Sequence, residues 1–213
     1  SGGSQTTVKP EPSAPARATP TPVRAEPFDS AQDRPVEALL SVQNLNVRFP
    51  IRQGLLQRVT GHFHAVKDVS FTIAQGQTLA LVGESGCGKT TTGKALVQLL
   101  RGQAEISGSA MMGGHNLFEL EDEALRTARR NIQIIFQDPF ASLNPRMRVF
   151  DILEEGLIAL RPEMDASTRR AQVERLTDQV GLRKEALERY PHEFSGGQRQ
   201  RIAIARALAV EPK

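Results

Sequence analysis

The chain has 213 residues, 39% of them hydrophobic and 24% charged, with a net charge of +3. That allows one ordinary globular domain plus a tail, and the basic residues are scattered with no run of five or more, which speaks against a nucleic-acid partner. The single cysteine, Cys87, excludes an intrachain disulfide and suits a reducing compartment, while no apolar run approaches the roughly 20 residues that span a bilayer.

The start, SGGSQTTVKPEPS, lacks the basic head and apolar stretch of a secretory leader. An intracellular chain is expected, reaching a membrane only through a partner. Residues 1–36 hold seven of the 13 prolines, among Ser, Thr, Ala and scattered charges. Such a segment buries too little to offset its ordering entropy, so it is expected to be an extended, mobile linker. The folded part is expected over residues 37–213.

Leu40, Val42, Leu45, Val47 and Phe49 predict a strand with one irregularity, ended by Pro50. A polar stretch, Arg52 to Gly61, separates it from a second strand in which Val69, Phe71 and Ile73 alternate. After the turn at Ala74–Gln77, Thr78–Val82 is a short continuous apolar run, the pattern of a strand buried on both faces. A glycine-rich loop follows, then a helix with Ala95, Leu96, Leu99 and Leu100 inward. Ile132–Phe136 reads as a further strand. Helical spacing marks Val149–Leu160 and Ala166–Val180, the latter stopped by Gly181. The last helix runs from Ser195 to Ala209, with Ile204, Ala205 and Leu208 inward. The order predicts an α/β fold with an inserted helical region over about 117–195.

Gly83-Glu84-Ser85-Gly86-Cys87-Gly88-Lys89-Thr90 matches the phosphate-loop pattern G-x-x-x-x-G-K-[ST] at every required position. Its glycines let successive N–H groups converge, and the following helix adds its positive end. Lys89 is expected to reach the β- and γ-phosphates of a nucleotide and the Thr90 hydroxyl to hold Mg²⁺, with Thr91 beside it toward the α-phosphate. Cys87 fills a free position of the pattern, where a small residue is tolerated.

A second pattern lies 112 residues after Gly83. Ser195-Gly196-Gly197-Gln198-Arg199-Gln200-Arg201, followed by Ile202–Leu208, resembles the signature sequence of the ABC ATPase family, with Phe194 where the family usually has leucine. Ser195 is an N-cap candidate, and Gly196-Gly197 would leave helix N–H groups uncovered for an anion. Ile134–Pro139 is similar to the family's Q-loop. The resemblance implies a P-loop ATPase domain of ABC type, with an antiparallel β subdomain and an inserted helical subdomain. It implies ATP and Mg²⁺ as ligands, with Gln137 near the metal and the attacking water. Ser195, Gly196, Gly197 and Gln198 would close on the γ-phosphate held by a second ATPase domain in a head-to-tail dimer. The family stacks adenine on an aromatic residue near the end of the first strand. Phe49 matches that place, and His64 is the competitor. His62 and His64 share a strand face without a third ligand nearby, so no metal is expected there.

The finer resemblance is to ATPases of oligopeptide, dipeptide or glutathione importers. It rests on Pro50–Leu56, Ala141-Ser142-Leu143-Asn144-Pro145-Arg146, and Tyr190-Pro191-His192-Glu193-Phe194. Within that branch the chain resembles the second half of a tandem subunit. Transmembrane permease subunits and a periplasmic or extracellular substrate-binding protein are the implied partners, with the chain peripheral on the cytoplasmic face of the membrane. The family's Walker B strand, catalytic Glu, D-loop and switch histidine would follow Pro212. The sequence as given is therefore expected to bind ATP without hydrolysing it, as part of a parent ATPase. The alternative is a soluble non-transport ABC ATPase, such as a ribosome-associated factor.

Overall fold

The computed structural model describes residues 24–27, 38–54 and 58–213. β1 (Arg24–Pro27) lies within the predicted linker and is a strand, pairing antiparallel with β4. That corrects the linker reading for these four residues; the rest of 1–36 lies outside the described residues.

β2 (Ala38–Gln53) and β3 (Arg58–Ala74) form a long antiparallel ribbon, with Val42 opposite Phe71, Val47 opposite Val66 and Phe49 opposite Phe63. The irregularity expected in the first strand is a bulge between Val42 and Leu45. There Asn44 takes a left-handed φ of 51°, and its N–H donates to Ser70 Oγ at 2.9 Å. An Asn tolerates that conformation better than the β-branched residues around it. The stretch Arg52–Gly61, expected to be a polar separator, is largely ribbon instead. Its apolar residues are too sparse to show a period of two, yet the backbone ladder continues through Gln53 opposite Arg58.

β4 (Leu79–Val82) leads into α1 (Lys89–Leu96), and β5 (Glu105–Met112) pairs antiparallel with β2. β6 (His115–Asn116) closes the sheet order β3-β2-β5-β6. One core forms where this sheet meets α1 and the chain that follows β6. It buries Leu40, Val42, Leu45, Val47, Val66, Ala95, Leu96, Ala110, Leu117 and Ala128. β4 departs from its double-face burial: Ala80 and Val82 are exposed, Val82 by 47%. Among the described residues its ladder partner is β1 alone, which leaves its faces uncovered. Leu99, expected inward, is exposed as well, because α1 ends at Leu96 and the chain turns away.

α2 (Asp122–Asn131), α3 (Pro139–Ser142), α4 (Val149–Leu160), α5 (Ala166–Gln179) and α6 (Gly196–Leu208) follow. α4 matches its predicted limits and α5 ends one residue short of them. A second core unites α4, α5 and α6 through Val149, Ile152, Leu153, Leu157, Val173, Leu176, Ile202 and Ala205. It begins at Leu143, whereas Leu117 and Ala128 pack on the sheet side. Asp165 caps α5 by accepting the Thr168 N–H at 2.7 Å, and Arg169 of α5 bridges to Glu154 of α4 at 2.8 Å. Ile132–Phe136 is not a strand. No strand among the described residues pairs with it, and an apolar run without a ladder partner stays irregular. No helix of the described residues is long and apolar enough to cross a membrane.

Candidate nucleotide site

The phosphate loop joins β4 to α1, and its conformation follows from its glycines. Gly88 has φ 101°, and a Cβ there would stand 2.4 Å from the Ala65 carbonyl oxygen of β3. Only glycine allows both that backbone and that approach. The loop is thereby pressed against the long ribbon, and Cys87 and Gly88 are buried while Gly83, Glu84, Ser85 and Gly86 stay open. A Cβ on Gly83 would stand 2.6 Å from Cys87 Sγ, so the cysteine fills the inside of the loop.

Gly88 is the N-cap of α1 and offers no side chain to it, and the first turn carries no acidic residue. The helix start therefore presents its N–H groups and positive dipole end to an anion without internal competition. Lys89 arches over the loop: its ammonium donates to the carbonyl oxygens of Gly83 at 2.7 Å and Glu84 at 2.8 Å. It also lies 3.5 Å from Cys87 Sγ. The Thr90 hydroxyl is on the exposed side, while Thr92 turns inward and donates to the Gly88 carbonyl at 3.0 Å. A fixed amide cradle, one cation and a free hydroxyl together suit a polyphosphate.

The glycines after Ser195 open α6. Ser195 Oγ accepts the Gln198 N–H at 3.3 Å, and the Gln198 side chain accepts the Ser195 N–H at 3.0 Å. The two bonds form a capping box, in which Gln198 is engaged with its own helix end and its N–H is covered by Ser195. Gly196 and Gly197 are exposed. Phe194 is buried, with the Arg189 guanidinium 4.6 Å above its ring. The N–H of Tyr190 donates to Glu193 at 2.7 Å and holds that carboxyl below its ordinary range. The inward set of α6 is Ile202, Ala203, Ala205 and Ala207; Leu208 is 42% exposed, against expectation. Arg206 ties α6 to the segment after Gln137, donating to the Ser142 carbonyl at 2.6 Å.

Gln137 is exposed, just before a turn in which Asp138 accepts the Ala141 N–H at 3.3 Å. Phe49 is half-buried against the sheet core. Its cross-strand partner Phe63 is 56% exposed, on the strand that carries Ala65 against Gly88. His64 is exposed opposite Arg48, and His62 meets Glu105 at 3.1 Å.

The family model described as ABC transporter matches residues 66–213, which takes in both the phosphate loop and the α6 start. The chain belongs to the ABC transporter family. It is 53% identical over 178 residues to a glutathione import ATP-binding protein, GsiA, of Pectobacterium atrosepticum, covering 83% of this chain and 28% of that protein. It is 51% identical over 178 residues to an uncharacterized ABC transporter ATP-binding protein, YejF, of Escherichia coli K12, covering 84% of this chain and 33% of that protein. The chain thus spans a third or less of the length of these relatives. Among solved structures it is similar to the ATP-binding cassette MJ0796 in a dimeric post-hydrolysis state bound to ADP and Pi. There the TM-score is 0.63 at 28% identity, over 81% of this chain and 70% of that one. The fold is therefore that of an ABC-type P-loop ATPase domain, a family whose domains bind nucleotide.

Proposed function

We propose that the chain is the ATP-binding portion of a subunit that powers import of glutathione or another small peptide. The observation that carries the reading is the cradle of Gly83–Thr91, with Lys89 arched over it, in a chain half identical to a glutathione import ATP-binding protein. The soluble ribosome-associated alternative has no such support.

Backbone N–H groups of the loop bind the phosphates, and Lys89 exchanges carbonyl partners for β- and γ-phosphate oxygens. Among the described residues no group of three His, Cys, Asp or Glu converges. A divalent cation here would take hard oxygen donors, which fits Mg²⁺ held by Thr90, Gln137 and the nucleotide's own phosphates. When bound, Mg²⁺ neutralises charge on the transferring phosphoryl group. Adenine lies toward the ribbon, where Phe63 joins Phe49 and His64 as a stacking candidate. Gly196 and Gly197 receive the γ-phosphate of a second ATPase domain, so the active form is a head-to-tail dimer. Permease subunits and a substrate-binding protein complete the transporter, with the chain peripheral on the cytoplasmic face.

Equilibrium binding of a fluorescent ATP analogue with Mg²⁺ tests the core of this reading. Binding is expected for the chain and lost in Lys89→Ala. A folded chain that binds equally well with and without Lys89 would refute it. Co-purification then separates the two settings: permease subunits in one case, ribosomes in the other.

A further inference from the structure

The chain leaves α6 through Ala209, Val210 and Glu211, and Glu211 adopts φ 57° directly before Pro212. Left-handed backbone is unfavourable for a residue with a side chain, and glycine or asparagine is the usual occupant. A glutamate held there implies that its carboxylate contributes something the backbone alone does not.

The contacts show what it reaches. Glu211 meets Arg161 at the end of α4 at 3.4 Å, Gln172 of α5 at 3.1 Å and Arg175 of α5 at 3.5 Å. Gln172 is buried and also approaches the Ala209 carbonyl at 3.4 Å, so one side chain reads both ends of the turn. Arg161 is shared with Glu163, which in turn meets Arg130 of α2 at 3.8 Å. Two residues further on, the Lys213 N–H donates to the Asn131 carbonyl at 3.1 Å. Donation from Gln172, then from Arg161, holds the Glu211 carboxyl below its ordinary range, so it carries its charge at neutral pH.

We infer that Glu211 is a positioning residue for the glycine end of α6. By clamping the helix exit to α4 and α5, it fixes the axis of a helix about 20 Å long at 1.5 Å per residue, whose other end carries Ser195–Gly197. The Glu211 clamp and the phosphate loop belong to different cores, so loss of the clamp leaves nucleotide binding by the loop untouched. The functional meaning of the glycine end rests on the proposed function; the clamp itself does not.

Glu211→Gly removes the carboxylate at a position where glycine accepts φ 57° without strain. Amide hydrogen exchange over the full chain reads it. Exchange at Gln198 and Arg199, whose N–H groups bond Ser195, is expected to rise about threefold or more together with that at 209–213, while the slowest amides of α4 keep their rates. A rise confined to 209–213 overturns the inference, and so does a uniform rise that includes α4, which would mark general destabilisation. Glu211→Gln keeps an acceptor for the Gln172 amide at the same backbone cost, so exchange at 198–199 is expected to fall below that of Glu211→Gly; rates as fast as in Glu211→Gly count against the clamp. Binding of the fluorescent ATP analogue is measured on the same samples and is expected to stay within about twofold in Glu211→Gly. Failure of the unaltered chain to bind would overturn the proposed function and leave the exchange result to decide on Glu211.

Discussion

Arg206 donates to the carbonyl oxygen of Ser142 at 2.6 Å, and so joins the helix that opens at Gly196 to the segment that follows Gln137. A charge-assisted hydrogen bond between half-buried groups contributes about 1.5–3 kcal/mol. Arg206→Ala is expected to lower unfolding free energy by roughly that amount in denaturant titration. Affinity for the ATP analogue without Mg²⁺ should be unchanged, because the phosphate loop sits on the other core and Gln137 is assigned to the metal alone.

Gly88→Ala is the most damaging single change expected in the phosphate loop. The new methyl group would stand 2.4 Å from the Ala65 carbonyl oxygen on a backbone of φ 101°. Because that neighbour is backbone, the loop and not a side chain has to give way. Loss of analogue binding with a fall in melting temperature is the expected pair of results. Unimpaired binding would show that the loop tolerates a different path past β3.

Lys89→Met tests the opposite case. It removes the ammonium that bonds Gly83 and Glu84 but leaves the glycines in place. Fluorescence titration is expected to show affinity reduced by tenfold or more, on the order of 1.4 kcal/mol or above. Melting should shift little.

Asp165 supplies a pH signature for the helical core. Its carboxyl is pulled from 3.8 to about 2, first by the Thr168 N–H and then by the Thr168 and Ser167 hydroxyls. A carboxylate with a depressed folded pKa stabilises fully above its unfolded value and loses that effect as pH falls through the folded one. The melting difference between the unaltered chain and Asp165→Asn should therefore be constant above about pH 5 and close between pH 4 and pH 2. A difference that persists at pH 2 would assign it to shape rather than charge.

Leu153 is fully buried at the centre of the helical core. Leu153→Ala is expected to cost about 2–5 kcal/mol, read by denaturant unfolding followed by far-ultraviolet dichroism.

Periodicity made α4 and α5 legible almost to the residue, since both carry apolar stripes, and Gly181 follows the end of α5. The phosphate loop was legible because its chemistry requires glycine and lysine at fixed offsets. Elements whose state depends on distant partners were not. Ile132–Phe136 has the composition of a strand but no ladder beside it, and Thr78–Val82 has the composition of a buried strand but open faces. Conversely Ile51 and Val59 are too isolated to signal a strand, yet backbone pairing carries the ribbon past them. Arg24–Pro27 was hidden by Pro27, because proline is read as a breaker although it is tolerated in an edge strand. At the start of α6 the S-x-x-Q spacing of a capping box was present in the sequence and went unread.

Two separate cores have a calorimetric consequence. The phosphate loop rests on the sheet core and the Ser195–Gly197 helix start on the helical core, with Leu143 to Val210 forming the second apolar cluster. A ligand stabilises only the part of a protein whose folding its site requires. Nucleotide should therefore raise the melting of the sheet half and leave the helical half behind, splitting one heat-absorption peak into two. The van't Hoff enthalpy would then fall below the calorimetric one as nucleotide concentration rises.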